Sequence, residues 1–457
     1  MNEKVHQRLT LAASITGAAL VALDGTILLV AQPEMRRDLH ASVAEVQWSS
    51  TAYLVAVAAF LVIAGRVGDR YGHLRLLVVG SLGFAAAAAA IAFAPGIGWV
   101  IALRGVQGIF GALLQPATLA MLRLVYPADR LGTPIAIRTS AIGLAAAVGP
   151  VLGGILIAHF EWRAVFVMNI PIALAIAACA AFLSIPTLST THPKQLNLLG
   201  STLLAGTLAI LVHTLVRVPG QGWTTTPTLL GWGGCTALAV AFVFHERRAA
   251  DPIVARAVAL SVPVMASMLL LLMTTAGMFG ALFVSTFFFQ DVVGLGPLDT
   301  GMSVLPLTAL MVLGAPLANK AARRYGPRLA ATIGVGLAIC GIAGLSTLVP
   351  SHGRVMSHVS LALLGLGFAA IMVTATGTVV GDAPPGHAGV VGGIKQTAMN
   401  IGPTIGIAVA TNVMLSGLGS TNASMSSALQ VLALITALAL IPAAFLPRTV
   451  NTIAINH

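Results

Sequence analysis

Apolar runs of about 20 residues recur along this chain from one end to the other, separated by short charged or Pro/Gly-rich breaks. This recurrence limits the fold more than any other feature. A run of about 20 apolar residues crosses the hydrocarbon of a bilayer as one helix, whereas a membrane strand needs only about 10 residues of alternating polarity. Inside hydrocarbon the backbone finds no water, and a helix satisfies its own N–H and C=O groups. Composition agrees, with 57% hydrophobic and 8% charged residues among 457 and a mean hydropathy of +0.95. A soluble domain carries roughly a quarter charged residues. The reading is an all-α integral membrane protein.

Cutting at the breaks predicts spans near 9–31, 46–66, 74–94, 98–122, 134–158, 164–186, 196–217, 228–245, 262–289, 300–318, 328–349, 357–380, 388–416 and 427–446, about 14 in all by the length criterion. The net charge of +11 is spread through short loops with no basic block and no aromatic ladder, so nucleic acid is not the expected partner. With the N-terminus inside, about 17 Lys and Arg fall on the cytoplasmic side and about 5 outside, which places both termini in the cytoplasm. The N-terminal stretch MNEKVHQRLT runs straight into the first apolar segment, which reads as a permanent span rather than a cleaved leader. Cys179, Cys235 and Cys340 each lie within apolar runs and imply neither a disulfide framework nor a metal site. No Gly-rich phosphate loop ending in Lys-Ser/Thr is present, and the loops are too short to house a catalytic domain, so neither an enzyme nor a bound cofactor is expected.

The chain also repeats itself. Arg70-Tyr71-Gly72 returns as Arg324-Tyr325-Gly326, and Gly149-Pro150 returns as Gly402-Pro403, at offsets of 254 and 253 residues. Two landmarks at nearly one offset predict two parallel six-helix bundles with two inserted helices between them. Parallel repeats of this kind suit a transporter whose central site faces each side in turn. The expected division is an N-terminal bundle over 1–186, a linker and insert over 187–250 with its joint at 187–195, and a C-terminal bundle over 251–457.

Residues 65–75, GRVGDRYGHLR, fall in a cytoplasmic loop. Gly65, Gly68 and Gly72 permit a tight turn and close helix approach, while Asp69, Arg70 and Arg75 concentrate charge. Arginines alone serve orientation; Asp69 adds nothing to that and fits a latch. This run resembles the signature loop of the major facilitator superfamily. The resemblance implies that Asp69 rests against the positive start of a helix of the other half, here the helix beginning near Gly389. The second copy, NKAARRYGPR, has Arg323 in place of the aspartate, which argues against a symmetric second latch. Gly143, Gly149-Pro150 and Gly153-Gly154 resemble the motif that marks proton-driven antiporters of the superfamily. Glycines four apart let helices touch backbone to backbone, and proline supplies a bend.

LDGTILLVAQP from Leu23 and QWSSTAYL from Gln47 are similar to the fourteen-span drug:H+ antiporter branch. Asp24 is the acid placed well inside the hydrocarbon by the predicted spans. Charging it there costs several kcal/mol, so it can exist neutral or ionised according to access, as a proton carrier must. Arg104, in the run RGVQGIFGA, matches another motif of the branch. Asp24 and Arg104 both lie about seven residues from the outer ends of their spans, about 10 Å deep, and are expected to pair. A static pair that only neutralises itself is the competing reading.

The expected substrate cavity takes in Gln107, Met278, Phe279, Lys395 and His358. Met278 and His358 are the repeat counterparts of Asp24 and Arg104. Lys395 has the alternative of snorkelling, and His213 and His358 the alternative of idle interfacial histidines. Met265, Met268, Met273, Met278, Phe279, Phe283 and Phe287–Phe289 suit varied apolar or cationic ligands, but one helix cannot turn all of them to one cavity.

Together these features imply a monomeric, multi-pass exporter in the inner (plasma) membrane. It would move a small hydrophobic or cationic compound against protons, driven by the proton gradient with no other cofactor. A dedicated exporter of one host metabolite or self-made antibiotic is the alternative. A receptor without transport would explain the spans but not the buried acid, the repeat and the antiporter-like glycines together.

Overall fold

A computed structural model of the chain describes residues 3–127, 132–183, 197–249, 252, 258, 260–347, 354–381, 388–415 and 421–448. Its regular elements are all helices. In chain order they are α1 (Glu3–Asp38), α2 (Val43–Tyr71), α3 (His73–Ala92), α4 (Ile97–Val125), α5 (Gly132–Phe160), α6 (Ala164–Val167), α7 (Asn169–Ala181), α8 (Leu198–Gln221) and α9 (Thr226–Arg248). There follow α10 (Val262–Phe287), extended by a π-helical turn Phe288–Val292, then α11 (Pro297–Tyr325), α12 (Pro327–Ser346), α13 (Arg354–Gly381), α14 (Ala388–Leu415), α15 (Thr421–Leu438) and α16 (Leu440–Ala444).

Among the described residues, 12 helices are long and apolar enough to cross a membrane. α2 and α8 are outside that set, at 29 and 24 residues. The chain is a multi-pass membrane protein. The predicted joint at 187–195 lies outside the described residues.

Local chemistry explains where the helices start and break. Ser42 caps α2: its hydroxyl accepts from the Glu45 N–H at 3.2 Å, and the Glu45 carboxylate accepts from the Ser42 N–H at 2.8 Å. The Ser42 N–H and the Ser42 hydroxyl, which donates to the same carboxylate at 2.7 Å, together hold the Glu45 carboxyl below its ordinary range. The predicted sixth span is divided, because Pro171 has no N–H to offer the Val167 carbonyl, and α6 ends at Val167. Pro442 stands in the same relation to Leu438, where α15 ends.

The chain forms two compact units. The first comprises Met1–Ile253 with Phe289–Leu305, the second Val254–Phe288 with Pro306–His457. Each carries a similar helix–glycine–helix element. In the first unit, α2 and α3, of 29 and 20 residues, meet at Gly72 with φ 97°. Leading into the second unit, α11 and α12, again 29 and 20 residues, meet at Gly326 with φ 87°. Glycine tolerates this left-handed backbone without the clash that a Cβ brings.

A second correspondence lies in the helix seams. In the first unit α5 rests on α1: a Cβ on Gly149 would run into Thr26, and one on Gly153 would sit 2.9 Å from the Ile27 side chain and 3.0 Å from its carbonyl. In the second unit α14 rests on α10, where a Cβ on Gly402 would strike Thr275 and one on Gly406 the Ala276 carbonyl. In lipid such close approach, rather than expulsion of water, drives helices together. Gly154 faces the start of α11, 2.6 Å from the Pro297 carbonyl by the same measure.

The interior of the first unit contains two apolar clusters that meet along α1. Leu20 and Val21 belong to one, with Tyr53, Leu77, Phe84 and Ile176. Ile27 and Leu28 belong to the other, with Met35, Trp162 and Phe166. Asp24 falls between them. At the far end of α1, Arg36 pairs with Asp291 at 2.8 Å and the Gln290 amide donates to the Val30 carbonyl at 3.1 Å, tying the π-helical turn to this unit.

Candidate functional site

Asp24 on α1 and Arg104 on α4 are each 1% exposed, and Arg104 Nη1 donates to Asp24 Oδ2 at 2.6 Å. The pairing expected from their depth is therefore formed. Arg104 reaches α1 because Gly108, one turn along α4, lets that helix press against α2: a Cβ there would lie 2.5 Å from the Tyr53 carbonyl.

The guanidinium has further partners. Nε donates to the Ser49 carbonyl at 3.1 Å, and Nη1 also donates to Gln107 Oε1 at 2.7 Å. The central carbon of the cation lies over the Tyr53 ring, 4.2 Å from its centroid, with Phe166 at 5.7 Å. A cation over an aromatic face gains about 2 kcal/mol or more when desolvated. The other carboxylate oxygen, Asp24 Oδ1, accepts from Asn169 Nδ2 at 2.7 Å. Two charged groups withdrawn from water thus hold each other while neutral dipoles complete their shells. This geometry makes a buried ion pair tolerable.

The shells are not closed throughout. Asn169 Oδ1, Gln107 Nε2 and the Tyr53 hydroxyl are buried without a hydrogen-bond partner. An unsatisfied buried polar atom costs about 1–3 kcal/mol, so a cluster of them around one ion pair marks a site whose bonding can be rearranged.

Sequence reasoning paired Asp24 with Arg104, assigned Gln107 to the substrate cavity rather than to this pair, and missed Asn169, Tyr53 and Ser49. The signal for Asn169 was present, since it is a lone amide in the apolar run VFVMNIPIA. A polar residue at that depth is expensive and so informative. Ser49 acts through its carbonyl, which no side-chain pattern reveals.

The remaining candidates sit elsewhere. Gly65 lies within α2 and Gly72 makes its C-terminal turn, its N–H donating to the Gly68 carbonyl at 2.8 Å. Arg75 is exposed at the start of α3. The side chains of Asp69 and Arg70 lie outside the described residues. In the second unit Met278 is buried, while Phe279, His358 and Lys395 are half-buried. A cavity of about 580 Å³ lies between α2 and α8, lined by Trp48, Ala52, Ala56, Phe60, Gly206 and His213 among others, with Trp48 and His213 rings 6.0 Å apart. Neither Asp24 nor Arg104 lines it.

Residues 15–407 match the profile of the Major Facilitator Superfamily. The chain belongs to that superfamily. It is 38% identical over 411 residues to the tetracenomycin C resistance and export protein of Streptomyces glaucescens, covering 90% of this chain and 76% of that one. It is 29% identical over 392 residues to the multidrug efflux pump LfrA of Mycolicibacterium smegmatis, covering 85% and 77%. The fold is that of the xylose transporter XylE from E. coli, in its inward-open form, with a TM-score of 0.65 and 14% identity over 97% of both chains.

Proposed function

We propose that this superfamily member is a secondary active exporter of small hydrophobic or cationic drugs or antibiotics, driven by proton entry through alternating access. The observation that carries the reading is the buried Asp24–Arg104 pair, an ionisable couple withdrawn from water inside an apolar bundle. Asp24 takes up a proton from the outer side, which removes its charge and weakens its hold on Arg104. Substrate binding has the same effect on the pair, so proton and substrate compete. The names of the tetracenomycin C and LfrA relatives support export of antibiotics or drugs as the cargo class. The greater identity to the relative named for one antibiotic favours a dedicated exporter as the second reading.

The finer features belong to the same proposal: fourteen spans, with α8 and α9 inserted between bundles over 1–186 and 251–457, and both termini cytoplasmic in the plasma membrane. In this reading Asp69, with Gly65, Arg70, Gly72 and Arg75, latches one facing state, and the working form is a monomer. Gln107, Met278, Phe279, Lys395 and His358 contribute to substrate contact.

The test is flux in proteoliposomes under an imposed pH gradient. Asp24→Asn keeps the shape and hydrogen-bonding capacity of the side chain but cannot change charge, so gradient-driven efflux is lost while the protein remains folded. Full efflux by that variant removes Asp24 from the mechanism. A receptor would move neither proton nor substrate even as wild type.

A further inference from the structure

The proton-carrier reading of Asp24 leaves one step without a partner. A carboxylate accepts hydrogen bonds from every side, but a protonated carboxyl must donate one. The groups on Asp24 here are both donors: Arg104 Nη1 on Oδ2 and Asn169 Nδ2 on Oδ1. Arg104 has no acceptor at all, and Gln107 already gives its oxygen to Arg104. The titratable and charged groups that face Asp24 among the described residues are Arg104 from α4 and the Tyr53 phenol from α2. α7 brings Asn169, and α5 meets this stretch of α1 through Gly149 and Gly153.

Asn169 carries the missing acceptor. It is 0% exposed, its nitrogen is committed to Asp24, and its oxygen has no partner. A half-turn of the terminal amide exchanges these two atoms, and that torsion is broad and roughly two-fold. Asn169 is the first residue of α7, beside the kink ahead of Pro171.

We propose that Asn169 is the positioning residue of the proton site, an amide that reverses when Asp24 changes charge. With Asp24 ionised, Nδ2 donates to the carboxylate. When a proton from the outer solution forms an O–H bond on Oδ1 of Asp24, the amide turns and the carboxylic acid donates to Asn169 Oδ1. Between Asp24 and Asn169 one N–H···O contact is replaced by one O–H···O contact, while the Arg104 contact on Oδ2 weakens as the carboxylate loses its charge. Asp24 keeps a hydrogen bond in both states, so the cost of its neutral form falls and Arg104 is released without leaving the acid unbonded.

The proposal rests on Asp24 being the proton carrier, and infrared difference spectra of the full chain in lipid, between alkaline and acidic buffer, separate the two. The wild type is expected to show a protonated carboxyl C=O band on acidification that Asp24→Asn lacks. Protein carrying asparagine labelled with ¹³C at the side-chain amide is expected to show an amide C=O band that moves with it. In Asn169→Leu that amide signal disappears and the Asp24 band shifts to higher frequency, as for an acid without an acceptor. Proton-driven transport falls about tenfold or more, the worth of one charge-assisted hydrogen bond. Asn169→Ser, whose hydroxyl both donates and accepts, recovers part of the rate. An Asp24 band that ignores Asn169, with a silent labelled-asparagine spectrum, overturns the switch alone. A wild type with no Asp24 band overturns the proton-carrier reading and the switch with it. The labelled wild-type measurement needs no variant to fold.

Discussion

Replacing Asp24 with Leu leaves Arg104 buried beside an apolar side chain, and the structure sets the size of the penalty. Both partners are 1% exposed and 2.6 Å apart, so neither solvent nor salt screens the loss. Removing one member of such a pair costs about 3–5 kcal/mol, because the surviving charge has no compensation. The Ser49 carbonyl, Gln107 Oε1 and the Tyr53 face remain to hold the cation, which places Asp24→Leu toward the lower end. Even there the folded-to-unfolded ratio falls by about two orders of magnitude. Adding Arg104→Met removes the stranded charge and fills similar volume. The double variant is therefore expected to regain most of that stability, because exchange of a whole buried pair for apolar groups is often neutral or favourable.

Transport is expected to behave differently from stability. If the pair serves only to neutralise itself, restoring stability restores efflux. If Asp24 carries the proton, the double variant is as stable as wild type and as inactive as Asp24→Leu. The assay is a double-mutant cycle of denaturant or thermal unfolding in detergent, run beside pH-gradient-driven flux in proteoliposomes. A double variant less stable than Asp24→Leu refutes the energetic argument. A double variant that exports normally refutes the functional one.

Other expectations follow from single contacts. Gly153→Leu forces side-chain atoms into Ile27 and is expected to cost about 1–3 kcal/mol, read as a lowered melting temperature with loss of flux. Gly72→Ala and Gly326→Ala place a Cβ on left-handed backbone and should each destabilise by more than about 1 kcal/mol, by similar amounts in the same melting assay. Glu45→Gln weakens the α2 cap by about 1 kcal/mol. Since its two bonds from Ser42 lower the Glu45 carboxyl in the folded protein, that difference is present at neutral pH and disappears as acid protonates Glu45 in the wild type. With Asp24 as the single proton carrier, export of a neutral compound is driven by membrane potential at equal pH, with about 2.3 kcal/mol per charge at 100 mV, whereas a monocation is not. Equal potential dependence for both would require a second titrating group.

The sequence exposed those parts of the fold that depend on periodicity and on residue types too costly to be placed at random. Long apolar runs announced the helices. Asp24 and Arg104 were readable because charge in hydrocarbon is expensive, and their common depth followed from counting residues at helical rise. The left-handed glycines at 72 and 326 were announced by the repeated Arg-Tyr-Gly. What remained hidden depends on three-dimensional closure. Ser49 contributes a backbone atom, and the use of Tyr53 requires α4 to approach α2 at Gly108. The kink before Pro171 lies inside the span Ala164–Ala181 and leaves no mark in the apolar pattern, which carries through it without change.

The placement of the site also indicates how a local protonation acquires reach. Every partner described for Asp24 and Arg104 comes from α1, α2, α4, α6 or α7, so the ionisation event is contained in the first unit. Two and three residues beyond Asp24 stand Thr26 and Ile27, the residues against which Gly149 and Gly153 of α5 are seated without side chains. A contact that close leaves no compressible layer between the helices. If Asp24 carries the proton as proposed, a shift of α1 on release of Arg104 passes to α5 as displacement rather than being absorbed. Pro150 lies between the two seated glycines, where a missing hydrogen bond makes bending cheapest. On the proposed reading of Asp24 as proton carrier, glycine at 149 and 153 and proline at 150 are parts of one device that converts a change of charge at Asp24 into a change of angle in α5.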